Sequence, residues 1–169
     1  MSIEECFWIC WDEVETAQWQ NFSFERVVLS SPHFSMDLVH SYFPEKKDVL
    51  RFFLKTTSEK IPVYEGLSTK DLCFESVMAR LETLSPYKKS VLDVFLSSTC
   101  SEKRILFEEL YQYFSFHLQG AVLSYPVCFY ACALVGVYRL VFACWATGSS
   151  EDVMIYLDTL LSKIFSLFE

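Results

Sequence analysis

Between Ile3 and Val14 the apolar residues stand at Ile3, Cys6, Phe7, Cys10, Trp11 and Val14, the i, i+3, i+4, i+7, i+8, i+11 spacing of one face of an α-helix. Segments of this kind, each opened by a residue that starts helices, recur along the whole chain, and no segment reads convincingly as a strand. Ser23 caps a second, short helix to Ser30 with Glu25 in its first turn. Ser30, Ser31, Pro32 and His33 form a tight turn, and Ser35 caps a third short helix to about Tyr42. Pro44 stands at the start of a fourth, which runs through Val49, Leu50, Phe52 and Phe53 to about Lys60. After a connector, Pro62 to Leu67, the pair Ser68/Asp71 opens a helix to Leu84. Ser85-Pro86 reads as a cap followed by Pro at the first helical position, giving a helix to about Ser97. Thr99/Glu102 opens a long helix to about Gln119, and Ser124 to Pro126 starts the most apolar one, to about Ala146. Ser149/Asp152 opens the last, with Val153, Leu157, Leu160, Leu161, Ile164 and Phe168 on one face. The expectation is an all-α chain of about nine helices, the first ones short and the later ones long, without internal repeats.

Hydrophobic residues make up 52% of the 169 and aromatics 17%, more apolar surface than one small core consumes. The excess is available to a partner subunit, a ligand cavity or a membrane. The uncharged run from Leu118 to Tyr138 has the length of a membrane span, but Pro126 interrupts it and Arg139 follows, so it reads as a buried helix. The start, MSIEECFW, lacks the basic region of a signal peptide, and a cytoplasmic location is expected. The seven cysteines have no zinc spacing and read as small buried hydrophobes in a reducing compartment. No GxSxG, HExxH, glycine-rich phosphate loop or carboxylate pair appears. Neither catalysis, a metal nor a cofactor is therefore expected.

Three short helices followed by Phe-Pro-x-Lys and an apolar helix, here WQNFSFERVVLSSPHFSMDLVHSYFPEKKDVLRFFLK, resemble the helix-turn-helix region of the TetR family of bacterial transcriptional regulators. Ser23 matches the cap of its second helix, Phe34 and Ser35 the opening of its recognition helix, and Tyr42, Phe43, Pro44, Lys46 and Leu50 the closing pattern. VYRLVFACWATGSSEDVMIYLDTLL resembles the end of the family's ligand-binding body. MARLETLSPYKK resembles a subgroup that includes lipid-binding proteins of ubiquinone biosynthesis, which keep the fold without acting as repressors.

The resemblance implies a helix-turn-helix head, residues 1–60, on a ligand-binding and dimerisation body, residues 61–169. It implies a homodimer through the last two helices, whose all-round apolarity argues the same way. It also implies duplex DNA as a partner, with Ser35 and Met36 toward base edges and His40, Tyr42, Lys46 and Lys47 toward phosphates. In the body, Phe95, Phe107, Tyr111, Phe114, His117, Tyr130 and Trp145 are the candidates to line a site for a hydrophobic small molecule or lipid; each is also a plain core residue on its own merits.

The chain departs from the family in its head. The basic arm before the first helix is missing, and Asp37, Leu38 and His40 replace a small residue, a hydroxyl and a phosphate-binding tyrosine. Residues 1–60 hold six Lys/Arg against ten Asp/Glu, a net charge of −4, although Lys46, Lys47, Arg51 and Lys55 cluster. Three functions follow: in first place a ligand-responsive regulator that binds DNA as a dimer; second, a protein of the same fold that has lost DNA and carries a lipid or isoprenoid, with peripheral membrane contact through its apolar C-terminal helices; third, a purely structural partner-binding module.

Overall fold

The computed structural model describes residues 2–31, 33–121 and 123–166. Among these there are nine α-helices and no strand: α1 (Ile3–Ala17), α2 (Phe24–Ser30), α3 (Met36–Tyr42), α4 (Lys46–Glu59), α5 (Thr69–Leu84), α6 (Lys88–Ser97), α7 (Cys100–His117), α8 (Val127–Thr147) and α9 (Ser150–Phe165). Single 3₁₀ turns lie at Trp19–Asn21 and Ser85–Tyr87. The protein is all-α, as its periodicity requires. Pro32 of the expected turn and Phe168 of the expected last face lie outside the described residues.

Most helix starts are set by the side chains expected to set them. The Ser23 and Ser35 hydroxyls accept from the backbone N–H groups of Arg26 and Leu38 at 3.4 and 3.2 Å. Ser149 and Asp152 close a reciprocal capping box, each side chain accepting from the other's backbone N–H at 3.1–3.2 Å. Ser2 and Glu5 do the same for α1. Ser85 behaves otherwise. Its backbone stays helical, and its hydroxyl donates to the Leu81 carbonyl at 3.0 Å, so α5 runs on into the 3₁₀ turn and α6 begins only at Lys88. Gly120, at φ +84°, lies just past the end of α7, in a conformation glycine adopts without strain.

The helices form two compact units. The first comprises Met1–Thr56 and Tyr87–Leu106, so α6 and the start of α7 join the N-terminal helices although they lie beyond the residue-60 boundary read from sequence. Its core is aromatic. Trp11 on α1 stacks on Phe53 of α4, with ring centroids 3.7 Å apart and planes 6° from parallel. Phe7 meets Phe43, Phe52 and Phe53, and Tyr87 closes edge-on against Phe53 at 5.4 Å. Val27 of α2 and Val39 of α3 are fully buried where the two short helices pack on α1.

The second unit comprises Thr57–Pro86 and Phe107–Glu169, with α5, α8 and α9 packed on one another. Leu157 and Leu161 of α9 and Leu134, Val141 and Trp145 of α8 are buried there. Each such side chain contributes about 1.5–3 kcal/mol by leaving water. The exposed Lys70–Asp158 ion pair (2.8 Å) that also links α5 to α9 contributes at most about 1 kcal/mol, so apolar packing decides the arrangement.

One backbone position is strained. Gln18, between α1 and the first 3₁₀ turn, has φ +71° and ψ 155°, a region natural to glycine and costly for a side chain. Gln18→Gly is expected to raise stability by about 1 kcal/mol, read as a higher urea midpoint at unchanged slope. A lower midpoint would show that the Gln18 side chain itself contributes.

Candidate functional site

The head face is built on α3. Ser35 caps it, and Met36, Asp37 and Leu38 form its first turn. The Ser35 hydroxyl is occupied by the Leu38 N–H, Met36 is half-buried and Asp37 is exposed. His40 sets its ring edge-on against Phe24, 5.0 Å away, and its Nδ1 lies 3.3 Å from the Pro44 carbonyl oxygen. Tyr42 is half-buried beside Phe43 and Pro44. Lys47 pairs with Glu45 at 2.7 Å, and Arg51 with Asp48 at 3.2 Å.

Lys46, the residue expected to touch phosphate, turns inward. Its ammonium donates to the Trp19 backbone carbonyl and lies 4.3 Å from the centre of the Trp19 indole. Burial holds its pKa below the usual lysine range, against the opposing pull of the Glu102 and Asp93 carboxylates. Trp19 is held on two further sides: its backbone N–H donates to Asp93 Oδ2 at 2.5 Å and its indole Nε1 to Glu102 Oε1 at 3.1 Å. Glu102 is also the capping partner of Thr99 at the start of α7, through Oε2 at 2.7 Å. The Thr99/Glu102 pair was legible in the sequence as a helix start. The roles of Trp19 and Asp93 were not, because their pairing spans 74 residues of chain.

The residues singled out in the body do not all share one environment. Phe114, His117, Tyr130 and Trp145 are buried, Tyr111 is half-buried and Phe107 is 47% exposed. Phe95, half-buried, belongs to the first unit and the others to the second. A chain of rings runs Phe114–Tyr138–Phe142–Trp145 at centroid spacings of 6.0, 5.9 and 5.2 Å. His117 Nδ1–H donates to the Tyr113 carbonyl, 3.0 Å away, and the ring packs on Tyr113 at 4.3 Å.

Beside this chain lies a group the sequence reading passed over. Arg80 of α5 is 1% exposed. Its Nη1 donates to Thr57 Oγ1 (3.1 Å) and Ser58 Oγ (2.7 Å), and its guanidinium lies 5.3 Å from the centre of the Tyr113 ring. Burial lowers its pKa and pushes the neighbouring Tyr138 hydroxyl up to about 12, the nearby guanidinium charge opposing the latter. The Tyr113 hydroxyl donates to the Ser76 carbonyl at 2.8 Å. A charge at position 80, between the core residues Val77 and Leu84, was the available signal: the apolar period of α5 calls for a hydrophobe there.

The outward side of α8 is largely apolar and exposed, with Arg139 its one charge among the described residues. Phe129 and Leu140 are 48% and 53% exposed, and Cys128 and Cys132 are exposed with them. The expectation that the cysteines are buried holds for Cys6, Cys10 and Cys73, whose thiol pKa values burial raises, and fails for Cys100, Cys128 and Cys132. For the two on α8 the reason is positional: α5 and α9 cover the opposite side of that helix. By length and composition α8 is also long and apolar enough to cross a membrane, with mean hydropathy 2.0 over 18 residues, 44% of them buried.

His117 supplies a pH test of the body. Burial lowers its pKa, outweighing the hydrogen bond to the Tyr113 carbonyl. The unfolded chain therefore binds the proton first as pH falls, and stability drops as pH falls below the ordinary histidine value of about 6.5. In His117→Gln that part of the slope is expected to vanish in urea titrations across this range; an unchanged slope would place the titration elsewhere. No family model, curated protein or solved structure matches this chain.

Proposed function

We propose that this chain is a TetR-like binding protein that has lost DNA contact, works as a homodimer through α8 and α9, and carries a lipid or isoprenoid in its apolar body. The observation that carries the first part is Lys46. A phosphate contact needs a cation free to reach outward, and this ammonium is committed to the Trp19 carbonyl and ring beside two carboxylates. Lys47 faces Glu45, Arg51 faces Asp48, and Asp37 puts a negative charge in the first turn of α3, where a major-groove reader approaches DNA.

The apolar outward side of α8, together with exposed Met154, Ile155 and Tyr156 on α9, supports the partner. Exposed apolar surface of this kind favours burial against a second copy. The buried ring chain from Phe114 to Trp145, with the polar groups of Arg80, Tyr113 and Tyr138 in the same unit, supports the ligand by chemistry: apolar surroundings with a few fixed polar groups suit a long hydrophobic molecule with one polar end.

Three measurements test the reading. Fluorescence anisotropy against DNA from upstream of its own gene, at about 50 and 200 mM salt, is expected to show no selective, salt-sensitive binding; saturable selective binding would restore the regulator. Sedimentation is expected to give a dimer that Leu140→Glu converts to monomer, because a buried unpaired carboxylate at such a surface costs several kcal/mol; a wild-type monomer would remove the dimer. Solvent extraction of protein purified from cells, followed by mass spectrometry, is expected to yield a stoichiometric lipid; its absence, together with failure to bind added isoprenoid, would remove the carrier.

A further inference from the structure

His117 closes α7 and is 2% exposed. Its Nδ1–H is spent on the Tyr113 carbonyl, and burial keeps the ring neutral near pH 7. A neutral imidazole protonated at Nδ1 carries a lone pair on Nε2, which accepts and cannot donate. Among the described residues no N–H or O–H reaches that Nε2. A buried acceptor without a donor is costly, and in a native fold it calls for a donor from elsewhere. Its neighbours are aromatic. The imidazole packs on the Tyr113 ring, and that ring lies 5.1 Å from Phe114, where the ring chain to Trp145 begins. Polar atoms nearby have duties of their own: the Tyr113 hydroxyl donates to the Ser76 carbonyl, and Arg80 Nη1 serves Thr57 and Ser58.

We propose that the polar end of the molecule carried in the body is a neutral hydroxyl on a long hydrocarbon tail, which donates to His117 Nε2 while the tail lies against the rings from Phe114 onward. This rests on the carrier reading above and specifies its head group. An alcohol satisfies a lone acceptor with one O–H and brings no charge into the interior. A carboxylate is ionised at neutral pH and has no proton to give, so it turns lone pairs toward the Nε2 lone pair and must also leave water as a charge. An ether on the same tail has no donor at all. A buried polar atom selects strongly between a ligand with the matching O–H and one without it, because the wrong ligand leaves that atom unpaired.

The test is calorimetric titration of the full chain with farnesol, farnesyl methyl ether and farnesoate, three heads on one tail, at a pH of about 7.5 where farnesoate is ionised. Dodecan-1-ol is run alongside, and the tighter of the two alcohols identifies the tail. The expected result is saturable binding of an alcohol, with the ether and the carboxylate weaker by about tenfold or more. His117→Leu is expected to bring the alcohol down to the level of the ether. His117→Gln, whose Oε1 can accept in place of Nε2, is expected to retain most of the affinity. In the wild-type protein the imidazole Nε2 nitrogen resonance is expected to move upfield on saturation with the alcohol, a readout that does not depend on how a variant folds. Equal binding of all three heads, or alcohol affinity unchanged in a folded His117→Leu, would overturn the hydroxyl assignment and leave the carrier standing. An Nε2 resonance that does not move would show that a bound water alone serves His117 and would overturn it as well. Failure of every probe to bind would remove the carrier itself, and the head group with it.

Discussion

Trp19 holds the first unit together because every polar atom it has is used. Its indole N–H goes to Glu102, its backbone N–H to Asp93 and its carbonyl to Lys46, whose charge also sits against the ring. One residue thereby joins the segment after α1 to α4, α6 and α7, elements that lie up to 83 residues away in sequence. The charges are partly shielded from water, so each is costly alone: removing either carboxylate leaves a half-buried ammonium with less compensation, and removing the ammonium leaves Asp93 and Glu102 without its opposing charge. The strained backbone at Gln18 fits this picture. A residue held next to so many fixed partners takes the backbone angles that the partners impose.

The same interaction sets the direction of the Lys46 side chain. A lysine after Phe-Pro, within a basic cluster, reads in sequence as an outward phosphate contact. What sequence cannot show is which acids come close in space. Asp93 and Glu102 stand far along the chain, outside the segment read as a helix-turn-helix; both bind Trp19, on whose carbonyl and ring Lys46 sits, and their charges act on that ammonium. Position in a motif fixes the backbone of a residue; the direction of a long, flexible side chain is fixed by charge and burial around it.

Local information was legible wherever the energy itself is local. Ser23, Ser35, Ser68, Thr99 and Ser149 act at helix starts because a hydroxyl reaches a backbone N–H two or three residues on. Ser85 was misread for a reason of the same kind: its hydroxyl has an equally local alternative in the Leu81 carbonyl, and a continuing helix favours that one. Long-range partners, by contrast, left only an indirect trace. Arg80 could have been found as a charge at an apolar position, but its partners Thr57, Ser58 and Tyr113 come from two other elements. Of the body residues picked for aromaticity, four are buried and Phe107 is 47% exposed, since aromatic character does not say which side of a helix a neighbour will cover.

The surplus of apolar residues has a location. The first unit spends its aromatics inside, around Trp11 and Phe53, and its surface carries the acids and bases. On α8 the periodicity that hides Leu134, Val141 and Trp145 against α5 and α9 leaves Phe129, Cys132 and Leu140 on the outside, where charged residues would normally stand. Among the described residues of α8 the one charge is Arg139. Among the described residues α5 and α9 cover the opposite side of α8, and exposed apolar surface of this kind favours burial against something else. A second copy, a lipid or a membrane surface would each provide such burial; a second copy is the one proposed above because it brings the same side of α8 to the contact.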